Sequence, residues 1–355
     1  MDRIQQLELR GMSLEEMDEL VKGLGQPGYR AGQLYRWVHR HGAARWAEMK
    51  NLPQELLQQL LHRCLLDNTR IVDQVWTAGK DTVKCLLELP DGEKIEAVLM
   101  IYEGNDRKSR YTACVSTQVG CPMGCSFCAT GMTGWQRNLT AGEIIGQALA
   151  VQSVLSPKRQ ITNIVFMGMG EPLLNFRNLI KAIEIFNSRQ GMNISMRRIT
   201  VSTCGLAPQI RELADEGLPI VLAVSLHAPT DALRETLMPV NKKYPISQIM
   251  AACRYYAEKT GRRVTFEYAL IRGVNDRIEH AEQLGRLLKG FLCNVNLIPV
   301  NPVMEKGWQR TSQEEIALFA KRLQSWGLET VVRESKGQDI DAACGQLRRR
   351  NSHQA

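Results

Sequence analysis

The sequence predicts an α/β fold: a partial barrel of six β/α units, with an N-terminal small helical domain and a β-hairpin extension in front of it. Three observations carry this. From about residue 107, extended apolar runs alternate with amphipathic helical stretches, the pattern of parallel strands covered by helices. Residues 70–102 instead hold two extended runs around Pro90-Asp91-Gly92, a hairpin signal. Residues 1–66 read as helices. The expected division is 1–66, 67–106, 107–339, and a C-terminal loop at 340–355.

In the helical part, "SLEEMDELVKGLG" opens with Ser13 as N-cap, and Glu16 completes a capping box. "GYRAGQLYRWVHRHG" gathers Arg30, Arg36, His39, Arg40 and His41 around Tyr35 and Trp37. That is the look of a surface that touches nucleic acid, and equally of a basic helix with an aromatic core face. "LPQELLQQLLHRCLL" follows as a further helix. In the hairpin, Glu96 shares a strand face with Val98 and Met100. A carboxylate on an apolar face is costly unless it has a partner or a task.

The barrel strands are read as "YTACVST", "ITNIVFMG", "RRITVST", "PIVLAVSLHA", "VTFEYALI" and "NVNLIPV", with "ETVVRES" closing the set. Helices lie between them, the first capped at Thr140. The strands end in unusual loops: "GMGEPLLN" (Gly168 to Asn175), "STCG" (Ser202 to Gly205), "SLHAPTD" (Ser225 to Asp231) and Asn301-Pro302. In barrels the chemistry sits on loops at the strand C-termini.

At 355 residues, 44% hydrophobic and 23% charged, the chain reads as soluble and globular. Apolar runs such as Ile220–Val224 fall far short of the ~20 residues that span a bilayer. The N-terminus lacks the apolar core of a signal peptide. The expectation is a cytoplasmic protein with no membrane partner. Forty-five basic residues against 37 acidic ones, net +8, suit an RNA or DNA partner.

Of ten cysteines, Cys64, Cys85, Cys204, Cys253 and Cys293 read as buried packing thiols. Cys121, Cys125 and Cys128 crowd one loop, "VGCPMGCSFCATG". Three thiolates can hold three corners of an iron–sulfur cube and leave one iron open. The other reading is a closed zinc site that recruits Cys114.

The triad on the loop after the first barrel strand, with a "GE" loop after the next, resembles the radical S-adenosylmethionine (SAM) enzymes. "CVSTQVGCPMGCSFCATGMTGWQRNLTAGEIIGQ", "FMGMGEPLLN", "SLHA", "IPVNP" and "DIDAACGQL" closely resemble the RlmN/Cfr family of RNA adenine methyltransferases, over nearly the whole chain. The resemblance implies a partial barrel of the radical SAM type. It implies a [4Fe-4S] cluster held by Cys121, Cys125 and Cys128, with SAM on the open iron. Gly170, Glu171, Ser202, the segment Ser225, Leu226 and His227, and Asn301 would contact SAM. For His227 the alternative is a histidine that only braces its loop, and Ser202 and Asn301 could be turn residues.

The chemistry implied by the resemblance uses two SAM molecules per turnover. One methylates Cys344. The second is cleaved to a radical that activates this methyl group for addition to the adenine ring, giving a transient protein–RNA crosslink. Cys114 then attacks the Cys344 sulfur, releasing methyladenine and leaving a disulfide. Glu96 is the candidate proton acceptor, with Cys114 its rival. The expected product is 2-methyladenine in 23S ribosomal RNA (rRNA), and in transfer RNA (tRNA) next to the anticodon. Alternatives are a Cfr-type enzyme acting on carbon 8, a glycyl-radical activase, and a metal-binding RNA-interaction protein. Lys158-Arg159, Arg197-Arg198, Lys242-Lys243 and Arg348–Arg350 are candidate phosphate contacts, and Trp135 a candidate base-stacking residue. A flavodoxin-like electron donor and a monomeric state complete the expectation.

Overall fold

The structure is a computed structural model, and it describes residues 6–67, 69–104, 109–132, 134–300 and 307–333. The N-terminal helices are α1 (Leu14–Gly23), α2 (Tyr29–Tyr35) and α3 (Gln54–Arg63). Ser13 and Glu16 form the expected capping box on α1. The stretch expected as one helix from Tyr29 passes into a π-helical turn at Arg36–Arg40. These helices enclose their own apolar core, including Leu9, Met17, Val21, Leu34, Tyr35, Leu56 and Leu60. Polar bonds tie this unit to the barrel: Lys181 Nζ to Glu16 Oε1 at 2.7 Å, and Arg36 Nη1 to Gln190 Oε1 at 3.1 Å.

One ten-stranded sheet follows, with its strands in sequence order from edge to edge. They are β1 (Arg70–Trp76), β2 (Thr82–Glu88), β3 (Lys94–Tyr102), β4 (Arg110–Cys114), β5 (Asn163–Phe166), β6 (Ile199–Thr203), β7 (Val221–Ser225), β8 (Val264–Leu270), β9 (Cys293–Pro299) and β10 (Glu329–Val332). The pairings from β1 to β4 are antiparallel and those from β4 to β10 parallel. The hairpin turns where Pro90-Asp91-Gly92 predicts it. It is joined by β1, which sequence reading did not resolve as a strand of its own. Helices α4 (Ala141–Gln152), α5 (Phe176–Asn187), α6 (Ala207–Asp215), α7 (Asp231–Leu237), α8 (Ile246–Thr260), α9 (Ile278–Leu288) and α10 (Gln313–Ser325) complete the six β/α units. Thr140 caps α4 through a capping box, as expected.

The two sheet faces differ sharply. Residues such as Ile164, Phe166, Val201, Leu222, Phe266 and Leu297 share one core with helix residues Ile144, Leu179, Ile210, Tyr256 and Phe319. This buried apolar face holds the helices on, each such side chain contributing roughly 1.5–3 kcal/mol. The alternate residues form the inner face. Register places Lys84, Val98, Cys114, Val165 and Thr200 in one row across β2 to β6. Further along the strands lie Ser202, Ala223, Thr265 and Asn294, then Ser225, Glu267 and Asn296. Ordinary barrel interiors are filled by branched apolar side chains. A polar interior points to a ligand cavity.

Candidate active site

After β4 the chain forms a short strand, Gln118–Gly120, paired with Trp135–Asn138, and the three cysteines occupy the loop between them. Gly120 is at φ +79°, and a Cβ there would lie 1.9 Å from the Gly134 carbonyl oxygen. That closeness lets the Cys121 N–H donate to the same oxygen at 2.8 Å. The loop is fastened below by Ser126 N–H to Leu237 O at 2.9 Å and by Trp308 Nε1–H to Ser126 O at 3.1 Å. Cys125 packs with Ala228, Leu237, Met238, Ile271 and Val300.

Burial pushes the Cys121 thiol up to about 12 and raises Cys128 as well. Cys125 is held below the ordinary thiol value by a hydrogen bond with Cys204, and the same bond drives Cys204 well upward. Cys204, expected as a packing thiol, therefore lies beside the triad: it follows β6 on the rim, where loops converge. Among the described residues no three His, Cys, Asp or Glu side chains are arranged around a single metal ion. Cys114 takes its neighbours from elsewhere: Met167, Arg333, Lys84 and Glu96. The four-cysteine zinc reading has no support in this arrangement. Three thiols on one loop, Cys121 and Cys125 buried and Cys128 partly exposed, match the donor set of an iron–sulfur cluster.

The other rim loops meet the triad. Gly170 has φ +103°, and a Cβ there would fall within 2.7–2.8 Å of Gln118, so glycine is required by this packing. Glu171 is buried, and its carboxylate accepts from Leu173 N–H at 3.1 Å and Cys204 N–H at 2.6 Å. Burial raises its pKa. Ser202 donates its hydroxyl to Phe166 O at 2.6 Å. Ser225 ends β7, and Leu226 and His227 follow it, His227 in the left-handed region at φ +58°. Its Nδ1 accepts from Ala269 N–H at 2.9 Å, and its ring meets Phe127 edge-on at 4.8 Å. Burial drops its pKa to about 3, so the ring is neutral and braces the loop.

Arg234 was not singled out by the sequence. It sits in α7, fully buried, and donates to Cys204 O at 2.6 Å, Ser225 O at 3.0 Å, Leu226 O at 3.1 Å and Asn241 Oδ1 at 2.9 Å. One guanidinium thus pins the ends of β6 and β7 together.

Deeper in the barrel, Glu96 and Lys84 form an ion pair at 3.4 Å, each 1% exposed. Cys114 lies on the same face, since Val98, two residues from Glu96, pairs with it. Burial pushes the Cys114 thiol up to about 11. Glu267 accepts from Asn296 Nδ2 at 2.9 Å, while its second oxygen is buried with no hydrogen-bond partner among the described residues. An acceptor left open on a polar inner face fits a ligand that carries donors, as the amino and hydroxyl groups of SAM do. Lys84 carries the same signal as Glu96, a charge in an alternating apolar run. Glu267, in "VTFEYALI", carries the same signal, though sequence reading did not single it out; Arg234 carries none. Cys344 and Asn301 lie outside the described residues.

An open parallel barrel with three cysteines after its first parallel strand, and polar loops on the same rim, defines a radical SAM enzyme. Residues 115–285 match the family model of the Radical SAM superfamily. Residues 7–66 match the "Ribosomal RNA large subunit methyltransferase N-terminal domain". A protein of Moorella thermoacetica named "Probable dual-specificity RNA methyltransferase RlmN" is 51% identical, covering 96% of this chain and 97% of its own length. One of Clostridium perfringens with the same name is 48% identical, covering 95% of each. The crystal structure of a radical SAM methyltransferase from Sphaerobacter thermophilus superposes with a TM-score of 0.91 at 48% identity, over 96% of this chain and 98% of that one. The chain belongs to the RlmN family of radical SAM RNA methyltransferases. No helix among the described residues is long and apolar enough to cross a membrane.

Proposed function

We propose that this chain methylates carbon 2 of an adenine in 23S rRNA, and of the adenine next to the anticodon in tRNA. The observation that carries the reading is the shared inner face of Glu96 and Cys114, with Lys84 at 3.4 Å from Glu96. A carboxylate and a thiol on one face of the sheet suit a methyl carrier at Cys344. The name shared by the relatives, "Probable dual-specificity RNA methyltransferase RlmN", supports an RNA methyltransferase with more than one substrate, and the choice of carbon 2 over the Cfr-type carbon 8 rests on the overall likeness to RlmN.

Cys121, Cys125 and Cys128 would hold the [4Fe-4S] cluster. Gly170, Glu171, Ser202, Ser225, Leu226, His227 and Asn301 border SAM, His227 through its backbone and its bracing of the loop. The cluster and two SAM molecules per turnover supply one-electron chemistry and the methyl group. Glu96 accepts the proton lost from the adenine ring, and the odd electron left on the ring adduct would pass back to the cluster, leaving a closed-shell thioether. Cys114 gives up its thiol proton, which balances the proton the released base takes up, and its sulfur bonds to the Cys344 sulfur. The bond from that sulfur to the former methyl carbon breaks, and its electron pair leaves with the base, which picks up a proton to become methyladenine. The resulting disulfide takes two electrons and two protons from a dithiol reductant to return to thiols, and a flavodoxin-like donor is suited to the single-electron reduction that the cluster would need. The enzyme works as a cytoplasmic monomer.

The test is mass spectrometry of digested rRNA from a deletion strain. Loss of 2-methyladenosine is expected, and its retention refutes the reading. In the purified enzyme, Cys344→Ala abolishes methylation while SAM cleavage continues. Unaltered methylation in that variant removes the carrier role.

A further inference from the structure

A cleft of about 640 Å³ opens between the N-terminal helices and the barrel, away from the thiol loop. Two of its walls are the segments that lead into β5 and β6, at Gln160–Thr162 and Ser195–Arg198. The SAM-side loops leave the other ends of these same parallel strands. Strands of four to five residues separate the two ends by roughly 15 Å. The third wall is the turn after the π-helix, at His39–Gly42.

The lining is basic. Arg40, His41, Arg159, Arg189 and Arg198 contribute to it, all exposed, and no carboxylate does. Arg40, Arg189 and Arg198 have no ion-pair partner among the described residues. Arg159 meets Glu103 at 2.9 Å, but both side chains are about half exposed, so the pair is weak and readily exchanged for a phosphate. The walls are fixed: Asn193 holds a left-handed turn at φ +54°, and Arg36 of the helical unit bonds to Gln190. In sequence, residues 39–41, 158–159 and 197–198 are three unconnected charge clusters. The fold brings Arg40, His41, Arg159 and Arg198 from these clusters to one concave surface.

We propose that this cleft holds the sugar–phosphate backbone of the RNA substrate at a point remote from the target adenine. The proposal rests on the reading of the substrate as RNA. Unpaired guanidiniums in a cleft match phosphate oxygens and release counterions when they bind. The volume falls within the range of sites that take ligands of nucleotide size. Backbone contacts of this kind position a substrate without reading its sequence. The cleft therefore favours long, structured RNA over a minimal hairpin.

The experiment compares wild type, Arg40→Glu/Arg189→Glu/Arg198→Glu, and the same three positions changed to Lys. Binding is measured against salt for a 23S rRNA transcript and for a short hairpin carrying the target adenine, and methylation is measured on both. The Glu variant is expected to bind the transcript roughly tenfold more weakly or worse, with a salt slope smaller by about one for each arginine that no longer meets a phosphate. Methylation of the transcript falls through KM, the hairpin is methylated as before, and the Lys variant restores both transcript binding and transcript methylation. Unchanged transcript binding and slope overturn the proposal. So does an equal loss on the hairpin, which places the arginines at the active site. If wild type methylates neither RNA yet the Glu variant still loses transcript binding, the cleft stands and the methyltransferase reading fails.

Discussion

Lys84 Nζ and Glu96 Oε2 lie 3.4 Å apart on neighbouring strands, both side chains closed off from solvent. Removing one partner strands the other as a buried charge, at a cost of about 3–5 kcal/mol. Lys84→Met is therefore expected to lower stability by that amount in denaturant unfolding. Lys84→Met/Glu96→Leu recovers most of it. Glu96→Gln is expected to slow methylation by about 10²–10⁴-fold, the contribution of a placed general base. A double variant no more stable than Lys84→Met would show that the pair is not coupled.

Gly120→Ala tests the cysteine loop through backbone sterics alone. The added methyl meets the Gly134 carbonyl, which also anchors Cys121. After anaerobic reconstitution the variant is expected to bind little iron and lack the visible absorption of a cluster. Wild-type iron content would show that the loop has room to adjust.

Arg234→Lys keeps the charge but loses the planar fork that serves four acceptors. The expected loss is about 3 kcal/mol or more of stability, because buried carbonyls lose charge-assisted bonds. SAM affinity in the reconstituted enzyme should fall roughly tenfold, equivalent to about 1.4 kcal/mol. Equilibrium dialysis measures it, and unchanged affinity would separate the clamp from the SAM site.

Two buried histidines set an acid limit. Burial drops His39 and His227 to about 3. The unfolded chain takes up their protons near pH 6.5, the native chain only near 3. Their contribution is complete above pH 6.5 and is lost as pH falls toward 3. Each adds a slope of about 1.4 kcal/mol per pH unit between pH 6 and 4. Urea midpoints should show this slope, and His39→Leu should remove half of the histidine part. An unaltered slope would assign the acid sensitivity to carboxylates.

Trp135 is 51% exposed beside the triad, so its ring does not pack beneath the loop. Trp135→Ala is expected to raise KM for RNA by the equivalent of about 1–3 kcal/mol, the worth of one base stack. Trp135→Phe should keep most of the affinity. Equal KM values for all three would leave the ring without a substrate contact.

Much of the site was legible because its signals are local. The cysteine loop, the glycine of "GMGE" and the misplaced Glu96 each stand out within a few residues. What stayed hidden depends on register. Lys84 meets Glu96 only through the pairing of β2 with β3. Arg234 lies on the short helix "TDALRETL", where an arginine reads as solvent-facing. Glu267 shares a face of "VTFEYALI" with Thr265, and only the pairing of β8 with β7 and β9 shows that this face lies inward. Cys204 reads as packing until the rim loops converge on it. The basic cleft needs three distant segments brought together by the docking of the helical unit.

Strand β3 is hydrogen-bonded along both of its edges, to β2 and to β4. The hairpin is thus continuous with the barrel, and Glu96 cannot swing away from Cys114 as a separate flap. The carboxylate and the thiol keep a fixed spacing through the catalytic cycle. In the proposed reaction, a carrier moving between SAM and the base would pass a stationary wall, and its own motion would set the timing.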